Sequence, residues 1–263
     1  MGHGKLRKFA ENETFGCLLQ PSSEELLSDG FFSLKDHPVK GHWAERFGNG
    51  APIVLELGCG KGEYTIDLAQ RDPSRNYIGV DIKGARLWKG AKFATENNLG
   101  NVAFLRTRIE LISAFFAPGE VSEIWLTFSD PQMKRENARL SSPLFISRYL
   151  SFLKPGGTVH LKTDSRFLHE YTKAVCAANG FEILCCTPDL YGEQGPEGLE
   201  AEIREVKTFY EKMSLKQGFK ITYMEFRPES GRPLRSPQDP AEFDSAMWRS
   251  LEEPRHFKGD GNL

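Results

Sequence analysis

A chain of 263 residues with 39% hydrophobic and 27% charged side chains has the composition of one soluble globular domain and lacks the long apolar run of a membrane span. Its formal net charge of −2 argues against a general polyanion binder, although one basic face is enough to bind a nucleic acid. The five cysteines form no CxxC pair and no Cys/His cluster, which argues against structural zinc and disulfides and indicates a cytoplasmic location.

The first fifty residues show no clear periodicity. Residues 1–50 contain prolines, glycines and scattered aromatic side chains, and we expect an extension that packs on or near the main domain. Two basic groups stand out: Lys5, Arg7 and Lys8 near the start, and Lys83, Arg86, Lys89 and Lys92 on a predicted helix. A spacing of three residues spreads the second group over roughly half of a helix surface, as in a solvated face or a phosphate-binding one.

From residue 51 onward, apolar runs of strand length alternate with amphipathic helical patterns. The candidate strands are residues 53–57, 77–80, 102–105, 123–128, 158–162, 182–186 and 220–226. The candidate helices are residues 64–70, 85–96, 143–152, 166–178 and 203–215. This alternation predicts an α/β domain over residues 51–227, with a mostly parallel sheet of seven strands and helices on both faces. Residues 228–263 combine five prolines with many charges and are expected to be a flexible tail.

A glycine-rich loop follows the first candidate strand. The segment Glu56-Leu-Gly58-Cys-Gly60-Lys-Gly62 lies between that strand and a helix, where nucleotide-binding loops are found. Glycine permits a sharp turn and a close approach of the backbone to a ligand. Glu63 occupies the position of the third glycine in a dinucleotide fingerprint. The acidic Glu56 would repel a pyrophosphate but suits the positively charged methionine end of S-adenosylmethionine, so the loop indicates this cofactor.

Acidic residues also end two later strands, at the edge where open α/β sheets bind ligands. Asp81 ends the second strand, where an acid hydrogen-bonds the ribose of an adenosine. Asp130 follows the fourth strand, and three cations come after it: Lys134, Arg135 and Arg139. A carboxylate for base donors beside cations for phosphates suits a nucleotide substrate. An ordinary Asp-Pro turn is the alternative explanation for Asp130.

Two further segments allow both a structural and a functional interpretation. Asp164 ends the fifth strand, and either Asp164 or Ser165 can serve as the N-cap of the next helix. Thr208 and Glu211 have the spacing of a capping box. Capping a helix and contacting a substrate are compatible roles, so the pattern leaves both open.

Together these segments resemble the bacterial tRNA (guanine-N7-)-methyltransferase family over roughly residues 5–226. The resemblance rests on the glycine loop, on Phe128-Ser-Asp130-Pro131 with Lys134, on residues 153–164 and on Thr208-Phe-Tyr-Glu211. The glycine loop occurs in many methyltransferases. The other three segments, taken in this order along the chain, are more specific to the family. The resemblance implies a Rossmann-like class I methyltransferase fold and methylation of a guanine N7 in tRNA, at guanine 46 of the variable loop.

The resemblance also implies roles for single residues. The cofactor would be bound by Glu56, Gly58, Gly60, Gly62, Asp81, Arg108, Ile109 and Asp130, without a metal. Asp130 would also be the catalytic carboxylate. The tRNA would be contacted by Lys134, Asp164 and the segment from Thr208 to Glu211. The chain departs from the family at Ser129, where proline is usual, at Arg108, where an acid is usual, and in a thinner basic stretch after Asp130.

Guanine N7 carries no proton, so this reaction requires alignment and charge stabilisation but no general base. An aspartate that accepts hydrogen bonds from the guanine N1 and N2 groups would stabilise the positive charge that develops on the base. We expect tRNA as the partner, no membrane and no obligate protein partner, and a monomer or homodimer. The alternatives are a methyltransferase of another RNA or a small molecule, a non-catalytic tRNA-binding relative, and a nicotinamide-dependent oxidoreductase. Glu63 and the lack of a Tyr-x-x-x-Lys pair disfavour the oxidoreductase.

Overall fold

A computed structural model describes residues 3–28, 33–192, 201–229, 231–237 and 240–251. The fold is built on a mixed sheet. The strands in these ranges are β1 (Leu18–Leu19), β2 (Leu27–Ser28), β3 (Ser33–Leu34), β4 (Ile53–Leu57), β5 (Asn76–Asp81), β6 (Val102–Arg106), β7 (Val121–Thr127), β8 (Leu153–Thr163), β9 (Glu182–Thr187) and β10 (Thr222–Arg227). The helices are α1 (His3–Asn12), α2 (Ser23–Leu26), α3 (Trp43–Phe47), α4 (Glu63–Arg71), α5 (Gly84–Glu96), α6 (Pro143–Leu150), α7 (Arg166–Asn179), α8 (Ala201–Glu205), α9 (Phe209–Lys216) and α10 (Ser245–Leu251). Short 3-10 helices add Ile109–Ala114, Glu136–Ala138 and Pro240–Phe243.

Eight strands form one sheet in the order β1-β6-β5-β4-β7-β8-β10-β9. Within this sheet, the neighbouring strands β1, β6, β5, β4, β7 and β8 all pair in parallel. Strand β10 runs antiparallel between β8 and β9. The predicted mostly parallel sheet is therefore confirmed, with eight strands where the sequence predicts seven. The additional strand is β1, whose Leu18 and Leu19 pair with Phe104 and Leu105 of β6. Two residues are too short to show the alternation that reveals a strand.

Helices cover both faces of the sheet, and each face has its own hydrophobic cluster. Within β4, the fully buried Leu55 and Leu57 belong to the cluster that α6 and α7 cover. Val54 points to the opposite face, into the cluster that α4 and α5 cover. Each such side chain stabilises the fold by about 1.5–3 kcal/mol through its burial. Because both faces are covered, the parallel strands are apolar throughout, which explains why the sequence shows them so clearly.

The N-terminal extension contains more regular structure than its sequence indicates. Helix α1 packs against α5, and the buried Asn12 donates from Nδ2 to the carbonyl of Gly84 at 3.0 Å. Trp43 of α3 is 0% exposed and donates from Nε1 to the carbonyl of Phe115 at 2.8 Å. Scattered aromatic and amide side chains thus fasten the extension to the sheet domain.

The helix predicted over residues 203–215 is in fact two helices, so that prediction is wrong. In a continuous helix the carbonyls of Ile203 and Val206 would accept bonds from residues four positions later. Both instead accept hydrogen bonds from Lys162 Nζ, at 2.7 and 2.9 Å. Thr208 then begins α9, because its Oγ1 accepts a hydrogen bond from the backbone N–H of Glu211 at 3.0 Å.

The C-terminal segment requires a second correction. The sequence predicts a flexible tail over residues 228–263, but its described part contains a 3-10 turn and α10. Phe243 and Trp248 are each 8% exposed, and their rings lie 6.2 and 5.6 Å from the ring of Phe167 in α7. Burial of two large aromatic side chains outweighs the polar composition of this segment. Residues 230, 238–239 and 252–263 of the predicted tail lie outside the described residues.

Candidate active site

A cleft of about 1000 Å³ opens at the carboxyl ends of the central strands. From β4 the chain adds β5 and β6 on one side and β7 and β8 on the other, so the cleft lies where the strand order reverses. Nine of the predicted site residues line it: Glu56, Gly58, Gly60, Asp81, Arg108, Ile109, Asp130, Asp164 and Thr208. The volume is at the upper end of about 300–1,000 Å³ for small-molecule sites, so a second ligand group can lie beside a cofactor.

The three glycines of the loop have left-handed backbone conformations. Their φ angles are +82° at Gly58, +59° at Gly60 and +73° at Gly62, which side chains other than glycine adopt only with strain. A Cβ added to Gly58 or Gly60 would meet no described atom within 4 Å, so these two glycines have open space beside them. A Cβ at Gly62 would lie 2.5 Å from the Phe104 ring. Gly62 is therefore required for packing and does not line the cleft.

Glu56 lies at the floor of the cleft and is 3% exposed. Its carboxylate accepts hydrogen bonds from Thr65 N at 2.9 Å, from Thr65 Oγ1 at 2.5 Å and from Thr127 Oγ1 at 2.5 Å. Burial raises the pKa of Glu56, and the three donors act in the opposite direction. The two threonines come from α4 and β7, so the carboxyl group is held in one orientation between these elements.

Asp81 connects the glycine loop to the end of β5. Its Oδ2 accepts a hydrogen bond from Gly60 N at 3.0 Å, and its Oδ1 accepts one from Lys83 N at 2.7 Å. A carboxylate oxygen has two lone pairs, so each oxygen can still accept a bond from a ligand. The side chain is 8% exposed at the cleft wall.

The loop after β7 carries two strained residues around Asp130. Phe128 and Gln132 have φ angles of +49° and +45°, although neither is glycine, and such outliers gather at functional sites. Asp130 is exposed and accepts a hydrogen bond at Oδ1 from Gln132 N at 2.9 Å. The buried Oγ of Ser129 has no hydrogen-bond partner among the described residues and lines the same cleft. The sequence analysis gave Ser129 no role and noted only that it stands where the family usually has proline.

Arg139, expected among the cations after Asp130, is buried at 4% exposure. It donates from Nη2 to the carbonyl of Met133 at 2.8 Å, and its guanidinium lies 4.3 Å from the centre of the Tyr171 ring. Arg139 thus holds the loop in place and is not available to a phosphate. Lys134 is exposed on the same loop but does not line the cleft.

Glu211 is also misplaced by the sequence prediction, because it is fully buried and does not line the cleft. Its Oε1 lies 2.9 Å from Nζ of Lys162, which is also fully buried, and accepts a hydrogen bond from the Tyr191 hydroxyl. Burial lowers the pKa of Lys162 to about 8, and the Glu211 carboxylate acts in the opposite direction. The ion pair connects β8 to α9 behind the cleft wall.

The N-terminus of α9 forms part of that wall. Asp164 accepts a hydrogen bond at Oδ2 from Ser214 Oγ at 2.7 Å, while Ser165 caps α7. The sequence left the cap open between Asp164 and Ser165, and the structure assigns it to Ser165. Phe209 and Tyr210, which lie within the Thr208–Glu211 segment that the resemblance assigns to tRNA contact, also line the cleft.

Arg108 lines the cleft but is not buried in it. Its side chain is 54% exposed, and its Nη2 lies 3.5 Å from Oε1 of Glu110. Glu110 also lines the cleft and supplies an acid two residues after the position where the family usually has one.

The described residues contain neither a metal-binding cluster nor a membrane-spanning helix. No group of three or more His, Cys, Asp or Glu side chains in these ranges is arranged to hold a metal ion. The helices in the same ranges are all too short or too polar to cross a membrane.

Comparison with known proteins gives strong matches over most of the chain. A family model described as a putative methyltransferase matches residues 50–222. A Christiangramia forsetii protein named tRNA (guanine-N(7)-)-methyltransferase is 52% identical over 227 residues, which is 85% of this chain and 97% of the relative. A Bacteroides thetaiotaomicron protein of the same name is 46% identical over 93% of this chain and 93% of the relative.

Solved structures with a similar fold are more distant in sequence. The 16S rRNA methyltransferase KamB superposes with a TM-score of 0.55 at 17% identity, covering 75% of this chain and 96% of that one. A structure described as an antibiotic-related methyltransferase has a TM-score of 0.52 at 20% identity, covering 78% and 100%. These similarities concern the fold alone, and they confirm the fold that the sequence resemblance implies.

Proposed function

Because this chain belongs to the tRNA (guanine-N7-)-methyltransferase family, we propose that it transfers a methyl group from S-adenosylmethionine to N7 of a guanine in tRNA. The products are 7-methylguanosine and S-adenosylhomocysteine, and the proposed target is guanine 46 of the variable loop. The observation that carries the proposal is the cleft, which joins the glycine loop to Asp130 at the reversal of strand order.

The residues of the cleft fit a cofactor with a positively charged amino acid end and an adenosine. The open sides of Gly58 and Gly60 leave room beside the loop backbone, and Glu56 provides a carboxyl group at the cleft floor. Asp81 keeps acceptor capacity for ribose hydroxyls, and the buried Ser129 hydroxyl is an available donor. S-adenosylmethionine supplies a methyl group on a positively charged sulfur when it is bound.

Asp130 is the proposed catalytic carboxylate. Methylation moves positive charge onto the guanine, and a carboxylate that accepts hydrogen bonds from N1 and N2 would stabilise that charge as it develops. The same contacts would select guanine, because adenine offers no N2 donor. The bond from Gln132 N uses one lone pair of Oδ1 and orients the side chain. No base is required, since N7 is unprotonated.

The decisive test is methylation of bulk tRNA with radiolabelled S-adenosylmethionine, followed by nucleoside analysis. We expect the label in 7-methylguanosine, and sequencing of the modified tRNA should place it at position 46. Label in a different nucleoside, or in tRNA-free extract only, would favour a methyltransferase of another RNA or of a small molecule. No incorporation with any tRNA would favour a binding protein that retains the fold.

The affinity for the cofactor should depend on Asp81. An Asp81→Ala substitution removes an acceptor for the ribose and the bonds to Gly60 and Lys83. We expect a loss of about 1–3 kcal/mol in binding of S-adenosylhomocysteine, measured by calorimetry. The matched control is Asp67→Ala, because Asp67 pairs with Arg71 on α4 and does not line the cleft. Equal affinities in the two variants would remove Asp81 from the binding site.

Binding of tRNA should weaken steeply with salt despite the acidic net charge. Lys83 and Arg86 are exposed beside the cleft, and neutralising phosphates releases counterions. An Arg86→Ala variant should reduce the slope of log affinity against log salt by about 1. Lys154→Ala is the control, since the exposed Lys154 lies at the amino end of β8, whereas the cleft lies at the carboxyl ends of the strands. Binding that is insensitive to salt would indicate a small-molecule substrate.

A further inference from the structure

The described C-terminal segment follows β10 and lies beyond the part of the chain that the family model matches. It is attached to α7 at both ends of that helix. Near the C-terminal end of α7, the side-chain amide of Asn179 exchanges two hydrogen bonds of 2.8 Å with the backbone of Arg235. Near the N-terminal end, Phe243 and Trp248 pack on the ring of Phe167. Two separate attachments to one helix give the segment a defined position along α7.

The last part of this segment is organised by its own hydrogen bonds. Asp244 caps α10, because its Oδ1 accepts a hydrogen bond from Met247 N at 2.9 Å. Trp248 donates from Nε1 to the carbonyl of Glu242 at 2.7 Å. The rings of Phe243 and Trp248 lie nearly parallel, with centroids 6.5 Å apart and planes at 3°. One locally ordered turn and helix therefore present both rings to α7.

The α7 rings that receive them also hold the guanidinium of Arg139. This group lies 4.7 Å from the centre of the Phe167 ring and 4.3 Å from the centre of the Tyr171 ring. Phe243 meets Tyr171 edge to face, with ring centroids 5.4 Å apart. Phe167, Tyr171 and Arg139 are all buried. The attraction between a cation and an aromatic face is stronger where water is excluded, so we expect the C-terminal rings to strengthen the hold on Arg139.

Arg139 in turn supports the loop that carries Asp130. It donates from Nε to the carbonyl of Gln132 at 3.3 Å and from Nη2 to the carbonyl of Met133 at 2.8 Å. Gln132 has a φ of +45°, and its N–H donates to Oδ1 of Asp130 at 2.9 Å. A strained backbone of this kind persists only where the surrounding structure holds it in place. The position of the Asp130 carboxylate therefore depends on Arg139.

We infer that residues 240–251 form a C-terminal clamp that positions Asp130 for methyl transfer by way of Arg139. This inference rests on the proposed function and adds Phe243 and Trp248 as positioning residues. Neither side chain lines the cleft, so both act on the geometry of the loop and not on a ligand. A displacement of about 1 Å at a reacting group can lower a rate by about 10²-fold, so a clamp at this distance can matter for the reaction.

The test is single-turnover methylation of unmodified tRNA by the full-length chain. Trp248→Ala should lower the rate by about 10- to 100-fold, because Arg139 gains access to water and the loop relaxes. Trp248→Phe keeps an apolar ring and should stay within about threefold of the wild type. The affinity for S-adenosylhomocysteine and the KM for tRNA should be unchanged in both variants, because the clamp contacts neither ligand.

Phe181→Ala is the matched control for a general loss of stability. Phe181 is buried, stacks on Phe226 with ring centroids 6.1 Å apart, and follows the C-terminal end of α7, away from the loop. Its substitution should lower the melting temperature, as Trp248→Ala does, but it should leave the methylation rate unchanged. A rate that merely followed stability would fall in both variants.

A double-variant cycle tests the route through Arg139. Arg139→Lys keeps the charge but loses the planar guanidinium, so it should itself slow methylation. Adding Trp248→Ala to Arg139→Lys should slow the reaction no further, because the effects of coupled residues are not additive. Phe243→Leu keeps apolar volume while removing the ring, and it provides the same comparison if Trp248→Ala does not fold.

The clamp would be overturned by an unchanged rate in folded Trp248→Ala or Phe243→Leu, or by an equal fall in Phe181→Ala. Fully additive effects with Arg139→Lys would overturn it as well, because the rings would then act by another route. In each case the wild-type enzyme still forms 7-methylguanosine, so the proposed function would stand. A wild-type enzyme that forms none would refute the proposed function itself, and the clamp with it.

Discussion

An Asp130→Asn variant is expected to fold and to bind cofactor, but to methylate tRNA about 10²–10³ times more slowly than the wild type. Asparagine keeps an acceptor for the Gln132 N–H, so the turn should persist. It loses the negative charge that would stabilise a positively charged guanine. Because this stabilisation grows toward the transition state, the loss should appear in kcat. Single-turnover methylation of an unmodified tRNA transcript measures it directly.

The matched control is Asp72→Asn. Asp72 makes the same kind of turn, since its Oδ1 accepts a hydrogen bond from Ser74 N at 2.9 Å, but it lies outside the cleft. Its methylation rate should equal that of the wild type. If both variants retain full rates, Asp130 is a turn residue and another group must stabilise the charge.

A Lys162→Met variant should lose about 3–5 kcal/mol of unfolding free energy, because it leaves the Glu211 carboxylate buried without its cation. The substitution also deprives the carbonyls of Ile203 and Val206 of their donor. Urea unfolding followed by circular dichroism measures the change. The Lys162→Met/Glu211→Leu double variant should recover part of the loss, since an apolar pair of similar volume needs no compensating charge.

Lys220→Met provides the comparison for an exposed ion pair. Lys220 Nζ lies 3.0 Å from Oδ2 of Asp189, but its side chain is 73% exposed. Its loss should cost less than about 1 kcal/mol, because water already screens the pair. Similar costs for Lys162→Met and Lys220→Met would mean that the buried pair does not hold α8 and α9 against the sheet.

The fold was predictable where local patterns and tertiary packing require the same residues. The strands from β4 to β8 are apolar because both faces of the sheet are covered, so their runs mark them directly. Gly180 ends α7 at a φ of +69°, the left-handed conformation that glycine commonly adopts just after a helix. Right-handed crossover connections restrict the possible topologies, but the strand order itself is known only from the structure.

The site was predictable to the extent that it follows from strand ends. Glu56 lies next to the last residue of β4, Asp81 ends β5, and Asp130 lies in the loop that follows β7. Parallel strands bring their carboxyl ends to one side of the sheet, so these three acids come together. The cleft therefore collects most of the residues that the motifs indicate. Thr208 could be placed as a helix cap from its spacing alone, whereas the side chain of Glu211 could not be placed in the same way.

Amino acid order by itself thus determined the central strands, the glycine loop, the acids at the strand ends and the family. Only the tertiary structure decided which charged side chains face the cleft and which are buried. Lys162, Glu211 and Arg139 are all charged, and their local sequence predicts exposure. Each is buried because its partner comes from another part of the chain: α8 and α9 for Lys162, and the Tyr171 ring of α7 for Arg139. Such partners meet only after the chain has folded, since burial of a charge becomes favourable only when all its bonds are made together.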